Sequence, residues 1–254
     1  AFLIASSVAS LIGSVAYDHT AILGDTLEKI AYQKAGIIKK NCPCVLSTGN
    51  SMEVISTVRS KAMEMTSQLV IPNLYLCKAH KWDIFGCEFS YKGQEYALSM
   101  GGLHQISNAL TVIEAIKYPA EKMRISEENI KNGLKKAKVY ARVEVLSEKP
   151  LTILDGGHNP DGMKALSKAV ETVSATPKIA IIGMLKEKNV HNAIKELLGQ
   201  VDKFVCVDGF YPLEMPKEEL KSIINDLGGR AEVSDMPTDE LIRAVQKENA
   251  NGLT

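Results

Sequence analysis

Four short stretches of the 254-residue sequence carry side chains able to do chemistry. Tyr17-Asp18-His19-Thr20 sets an imidazole beside a carboxylate directly after an apolar run. Ligands of open α/β sheets collect at the carboxyl ends of strands, so Asp18 and His19 stand where a metal ligand or proton carrier is expected. The same residues equally suit a turn in which Asp18 and Thr20 cap the next element. That element is a predicted helix from Asp25 to Ile37, capped by Asp25 or Thr26 and ended by a left-handed Gly36. Its apolar stripe runs Leu27, Ile30, Ala31, and the next place on the stripe is Lys34. An inward ammonium is costly, and burial favours the neutral amine, which adds CO2 to give a carbamate, an anionic metal ligand. The plainer alternative is a lysine reaching out to water at the helix end.

The third stretch, Gly101-Gly102-Leu103-His104-Gln105-Ile106-Ser107-Asn108-Ala109, is a glycine pair opening a helix. Ile106, Ala109, Leu110, Ile113 and Ile116 form its core stripe, with Gln105 and Asn108 on a neighbouring face and His104 one turn before Asn108. An amide there can read an adenine edge or a phosphate, or simply cap. The fourth runs from Leu151 to Gly162 as LTILDGGHNPDG. A strand ends in Asp155, glycines turn the chain, Asn159 caps and Pro160 takes the first helical position. Such junctions present backbone N–H groups to anions, which makes Asp155 and His158 candidates. No G-x-x-x-x-G-K-[ST] loop occurs anywhere, and Gly183-Met184-Leu185-Lys186-Glu187-Lys188 is only superficially similar. Cys42-Pro43-Cys44 is not a C-x-x-C, and no four-ligand zinc spacing is present.

The elements that must position these groups alternate. Residues 1–17 are uncharged but have no basic flank for a signal peptide and too many serines for a membrane span. They read as a strand, Val8 to Val15, buried on both faces in the middle of a parallel sheet. Starting in that stretch with Ala instead of Met, the chain is expected to be a piece of a longer protein. Val45–Ser47 reads as a strand and Ser51–Gln68 as a helix, then Leu74–Cys77, Ile84–Tyr91 and Tyr96–Met100 as strands around a Lys92-Gly93 turn. Helices follow at His104–Lys117 and Ser126–Lys136. Beyond Arg142, strands (Val143–Leu146, Leu151–Leu154, Ile179–Ile182, Phe204–Val207) alternate with helices (Pro160–Val173, Val190–Leu198, Pro216–Asn225, Asp239–Lys247). Repeated βα units imply a parallel sheet covered by helices, with a domain boundary near 140.

Lys+Arg and Asp+Glu number 30 each, so a general nucleic-acid or anionic-membrane surface is disfavoured. Five scattered cysteines make no disulfide framework and fit a reducing cytoplasm.

YDHTAILGDTLEKIAYQKAGIIK (Tyr17 to Lys39), GGLHQISNA, ARVEVL (Ala141 to Leu146) and LDGGHNPDG (Leu154 to Gly162), in this order, resemble the folylpolyglutamate synthase/dihydrofolate synthase branch of the Mur ligases. The resemblance implies an α/β chain in two parts. Residues 1–140 would be an incomplete three-layer P-loop-type ATP-binding domain lacking its P-loop segment, and residues 141–254 a Rossmann-like Mur ligase C-terminal domain. ATP would phosphorylate a carboxylate of folate or dihydropteroate, and the amine of L-glutamate would attack the acyl phosphate.

Residue by residue, the resemblance makes His19 a Mg2+ ligand and Lys34 the carbamylated lysine of a second metal site. Asn108, Arg142 and Asp155 match ATP-contacting positions, and Asp155 and His158 would lie close to the incoming glutamate. The cleft is then expected between domains, in a monomer with no nucleic-acid or membrane partner. Gln33 replaces the usual Glu before the lysine and Gly157 the usual Ala, both expected to be tolerated. The phosphate-loop segment, the upstream glutamate ligand and the pterin-binding elements are expected to be missing. So is the last strand, the chain stopping after a helix and being inactive alone. Rival readings are another Mur-type amino-acid ligase, a metal-dependent hydrolase built on His19, Lys34 and Asp155, or a non-catalytic binding module.

Overall fold

The computed structural model describes residues 7–17, 20–186, 189–209 and 211–254, divided into two compact units. The first holds residues up to Lys81 with Cys87–Ser99 and His104–Ala137, and the second Trp82–Gly86, Met100–Leu103 and Lys138–Thr254.

The first unit opens with β1 (Ser10–Ile12), α1 (Thr20–Leu23), α2 (Leu27–Ala35), β2 (Cys44–Leu46), α3 (Met52–Glu64) and β3 (Leu69–Val70). The three strands are parallel in the order β1-β2-β3, with Ser10 opposite Cys44 and Cys44 opposite Leu69. Only β2 is buried along its whole length. The double-sided burial expected for Val8–Val15 is not found: β1 is three residues long and Leu11 is 43% exposed. Among the described strands β1 is an end strand, flanked by β2 alone. Ile30, Ala31, Ala35 and Ile38 from α2 and its C-terminal turn pack on Val54, Val58 and Ala62 of α3, over Ile12, Cys44 and Leu46. Thr26 caps α2, its hydroxyl accepting from Lys29 N, and Ser51 caps α3. Gly36 is not left-handed, contrary to expectation: its φ is −57°. The glycine serves space instead, since a Cβ there would stand 3.1 Å from the Gln33 carbonyl oxygen.

Leu74–Leu76, expected as a strand, forms a 3-10 turn capped by Asn73. It leads into the sheet β4 (Cys77–Trp82), β5 (Cys87–Tyr91) and β6 (Gln94–Leu98). Lys92 and Gly93, at φ 51° and 79°, make the tight turn of the β5–β6 hairpin. Phe89 and Tyr96 stack at 5.4 Å on its buried face. α4 (His104–Met123) and α5 (Glu127–Lys136) complete the unit. α4 runs past the expected end at Lys117 and through Pro119. α5 starts with a Ser126–Asn129 capping box.

The second unit contains β7 (Glu144–Glu148), β8 (Leu151–Leu154), α6 (Pro160–Glu171), β9 (Ile179–Ile182), α7 (Val190–Leu197), β10 (Lys203–Cys206), α8 (Lys217–Asp226), β11 (Ala231–Val233) and α9 (Thr238–Glu248). β9, β10 and β11 are parallel in the order β11-β10-β9, as the βα alternation requires. Side chains alternate across β10. Phe204 and Cys206 pack with α7 and α8, while Val205 and Val207 pack under Leu241 and Val245 of α9. β7 and β8 pair antiparallel.

Beyond α9 no further strand forms among the described residues, but Leu253 bridges in parallel to both Leu151 and Lys178. Ile179 N donates to the Leu253 oxygen and Ile153 N to the Thr254 oxygen. The last residues thereby join the β7–β8 pair to the β9–β10–β11 sheet. Buried Asn249 fixes them, its Nδ2 donating to the Pro177 and Leu253 oxygens.

Candidate functional site

In the first unit, His19 and its neighbour Asp18 lie outside the described residues. Lys34 sits in the last turn of α2 and is exposed, so the inward position expected for it is incorrect. The stripe turns away from it. Ile30, Ala31 and Ala35 are buried against α3, whereas Leu27, on the same side as Lys34, is only half-buried. On α4, Ile106, Ala109, Leu110 and Ile113 are buried as expected. Gln105 is buried as well. Its Oε1 accepts from the Nδ2 of exposed Asn108 at 2.9 Å, which fixes the direction of the Asn108 amide.

In the second unit three of the expected residues converge. β8 ends in Leu154, and Asp155 follows in the turn. Asp155 Oδ1 accepts from Gly157 N at 2.7 Å and Oδ2 from Val143 N at 2.8 Å. One carboxylate therefore ties the turn after β8 to the segment before β7. Gly156 N donates to the Ala141 oxygen at 2.9 Å, and Arg142 Nη1 donates to that same oxygen at 2.9 Å. A Cβ on Gly156 would stand 2.8 Å from Arg142 Nη1, so glycine leaves the guanidinium its place. His158 Nδ1 lies 2.9 Å from the Gly156 oxygen. Asn159 then caps α6, its Oδ1 accepting from Gly162 N at 2.8 Å, with Pro160 in the first turn.

Arg142, Asp155 and His158 thus surround Gly156 at the head of a twelve-residue helix. An exposed guanidinium, an imidazole and the positive end of a helix dipole together suit a phosphate or carboxylate. Among the described residues no three His, Cys, Asp or Glu side chains converge where they could hold a metal ion. Sequence reasoning missed Glu144, whose carboxylate accepts from Ala141 N at 3.0 Å. Its only signal was an acid two places after Arg142 in Ala141-Arg142-Val143-Glu144.

Residues 141–252 match the Mur ligase, glutamate ligase domain family. The chain is 32% identical over 197 residues to folylpolyglutamate synthase of Lacticaseibacillus casei, covering 72% of this chain and 44% of that protein. It is 29% identical to dihydrofolate synthase/folylpolyglutamate synthase of Bacillus subtilis, covering 95% of this chain and 57% of the relative. Among solved structures, E. coli FolC in complex with DHPP and ADP superposes with a TM-score of 0.80 at 24% identity, over 97% of this chain and 57% of that one. Folylpolyglutamate synthase from Thermotoga maritima superposes with a TM-score of 0.74 at 25% identity, over 97% of this chain and 56% of that one. The chain spans about half the length of these relatives. Residues 141–252 accordingly match the Mur ligase, glutamate ligase domain family, in a chain similar along nearly its whole length to folylpolyglutamate and dihydrofolate synthases.

Proposed function

We propose that the protein is an ATP-dependent amide ligase that adds L-glutamate to a folate. The observation that carries this reading is the convergence of Arg142, Asp155 and His158 around Gly156 at the head of α6. Those residues lie within the matched glutamate ligase domain. In the reaction, the γ-phosphoryl group of ATP passes to the folate carboxylate and ADP leaves. The glutamate amine then attacks the acyl phosphate, a proton is lost, and inorganic phosphate departs from the new amide. Charge neutralisation and in-line positioning dominate the barrier of phosphoryl transfer, and an exposed guanidinium beside a helix N-terminus supplies both. Arg142, with Asn108 and Asp155, is assigned to ATP, and Asp155 with His158 to the incoming glutamate. Dihydropteroate is the second acceptor to test, since the relatives' names include dihydrofolate synthase.

Residues 1–140 are read as part of the ATP-binding domain and residues 141–254 as the glutamate ligase domain. Magnesium is assigned to His19 and to a carbamylated Lys34 on the motif alone. The described donors do not by themselves assemble a cation site, and Lys34 is exposed. If Lys34 carries a carbamate, activity falls in CO2-depleted buffer and short-chain carboxylates rescue Lys34→Ala. If neither occurs, that assignment is wrong. Five free cysteines fit a reducing cytoplasm, and a monomer is expected. No helix among the described residues is long and apolar enough to cross a membrane.

This chain alone is expected to be inactive, so the test is incubation of its full-length parent with ATP, labelled glutamate, and tetrahydrofolate or dihydropteroate in competition with cell-wall precursors. The expected result is ADP release that requires both glutamate and a folate-type acceptor, with label entering the product. Label entering only cell-wall precursors would overturn the folate assignment, and no glutamate-dependent ADP release would overturn the ligase.

A further inference from the structure

Arg142 stands between two residues with unusual backbones. Ala141 and Val143 both lie in the left-handed region, at φ 53° and 49°. That conformation is uncommon for any side-chain-bearing residue and strained for a β-branched valine. Strain of this kind persists only where the surroundings over-determine it. Here two carboxylates do so, one on each side of the arginine. Val143 N donates to Asp155 Oδ2 at 2.8 Å, and the Val143 side chain is buried beside Ile84, Ala169 and Val170. Ala141 N donates to Glu144 Oε2 at 3.0 Å. The other Glu144 oxygen lies 3.0 Å from Lys138 Nζ, and the Glu144 side chain is only 9% exposed. The Ala141 oxygen, on the far side of that residue, receives both Gly156 N and Arg142 Nη1.

We propose that Glu144, aligned by Lys138, is a positioning residue that holds Ala141 in its left-handed turn. It thereby aims the Arg142 guanidinium at the phosphates of a nucleoside triphosphate. The inference rests on the assignment of Arg142 to ATP made above. Without an acceptor for Ala141 N, the Ala141 backbone relaxes toward negative φ. The Ala141 carbonyl then rotates away from Gly156 and takes the arginine with it, while Val143 stays pinned by Asp155. The Ala141 amide first, and Lys138 second, hold the Glu144 carboxyl below the usual range, so it is an ionised acceptor at neutral pH.

The experiment is a double-mutant cycle on the full-length parent of this chain with Arg142→Ala, Glu144→Ala and the pair, plus Glu144→Gln. Affinity for a non-hydrolysable ATP analogue is read by calorimetry, KM for ATP is compared with kcat, and circular dichroism checks the fold. Arg142→Ala is expected to weaken nucleotide binding by about tenfold or more, and Glu144→Ala by a similar factor, chiefly in KM. Adding Glu144→Ala to Arg142→Ala costs little more, because the aim of an absent guanidinium no longer matters. Glu144→Gln keeps an oxygen for Ala141 N and retains most of the affinity. In the Glu144→Ala background, Ala141→Gly recovers part of the loss, since glycine takes a left-handed φ unaided. If Arg142→Ala binds nucleotide like the parent, the assignment of Arg142 fails, and this inference with it. If Arg142→Ala weakens binding but Glu144→Ala does not, or the two losses add in full, the role of Glu144 alone is overturned.

Discussion

Glu114 offers a sharp test of what holds the β5–β6 hairpin onto α4. Its side chain is 7% exposed and flanked by two lysines, Lys92 Nζ at 2.6 Å from Oε1 and Lys117 Nζ at 2.7 Å from Oε2. The Tyr91 hydroxyl also donates to Oε1 at 2.6 Å. Burial alone would raise the carboxyl pKa. Lys117, Lys92 and the tyrosine together outweigh it and hold the group at about 2 against an ordinary 4.5. A difference of that size corresponds to an upper limit of roughly 3 kcal/mol of folding stability at neutral pH. Both lysines are nearly half exposed, and solvent screening reduces the figure to about 1.5–2 kcal/mol.

The sign follows from the lowered pKa. The stabilisation is fully present above pH 4.5 and is lost as pH falls toward 2. Glu114→Gln keeps the shape and one acceptor but removes the charge. It should lose about 1.5–2 kcal/mol in urea unfolding at pH 7, a drop of roughly 4–8 °C in the unfolding midpoint. The gap between parent and variant should shrink by more than half by pH 3. Equal stability at pH 7, or a gap that stays constant down to pH 3, would refute the reasoning.

Three further outcomes are expected. Gly101→Ala would set a Cβ 2.3 Å from the Ile84 carbonyl oxygen, a backbone atom that cannot swing aside, and should cost upwards of about 3 kcal/mol in denaturant unfolding. Leu253, 5% exposed, fills the cluster around Val143, Ala169 and Val173. Leu253→Ala should cost about 2–4 kcal/mol and speed hydrogen exchange at Ile153 and Ile179, whose amides donate to the last two residues. Burial pushes the Cys44 thiol up to about 11, so at pH 8 it should resist alkylation in the native protein and react once urea unfolds it.

Much of the candidate site was readable because its signals are local. Asn159 and Pro160 start α6 by satisfying N–H groups within one turn. Lys92-Gly93 closes the β5–β6 hairpin because that turn needs two left-handed residues in succession. Asp155 stands at the end of β8 because an apolar run of strand length stops there. Lys34 was misread because helical spacing gives a direction around the axis but not which directions a neighbour covers. α3 covers Ala35 and leaves Lys34 exposed. The partner of the last residues was equally hidden, since Leu253 pairs with strands about 75 and 102 positions earlier and no local pattern encodes that register.

The amino-acid order by itself thus settled where most of the helices lie and where α6 begins, since each depends on contacts within a few residues. Only the folded chain decided that Ala141 and Val143 take left-handed backbones around Arg142 and that Glu144 and Asp155 clamp them. It also decided that Leu253 bridges to Leu151 and Lys178. Those facts depend on groups brought together by packing, where a local conformational cost is accepted only because distant partners compensate it.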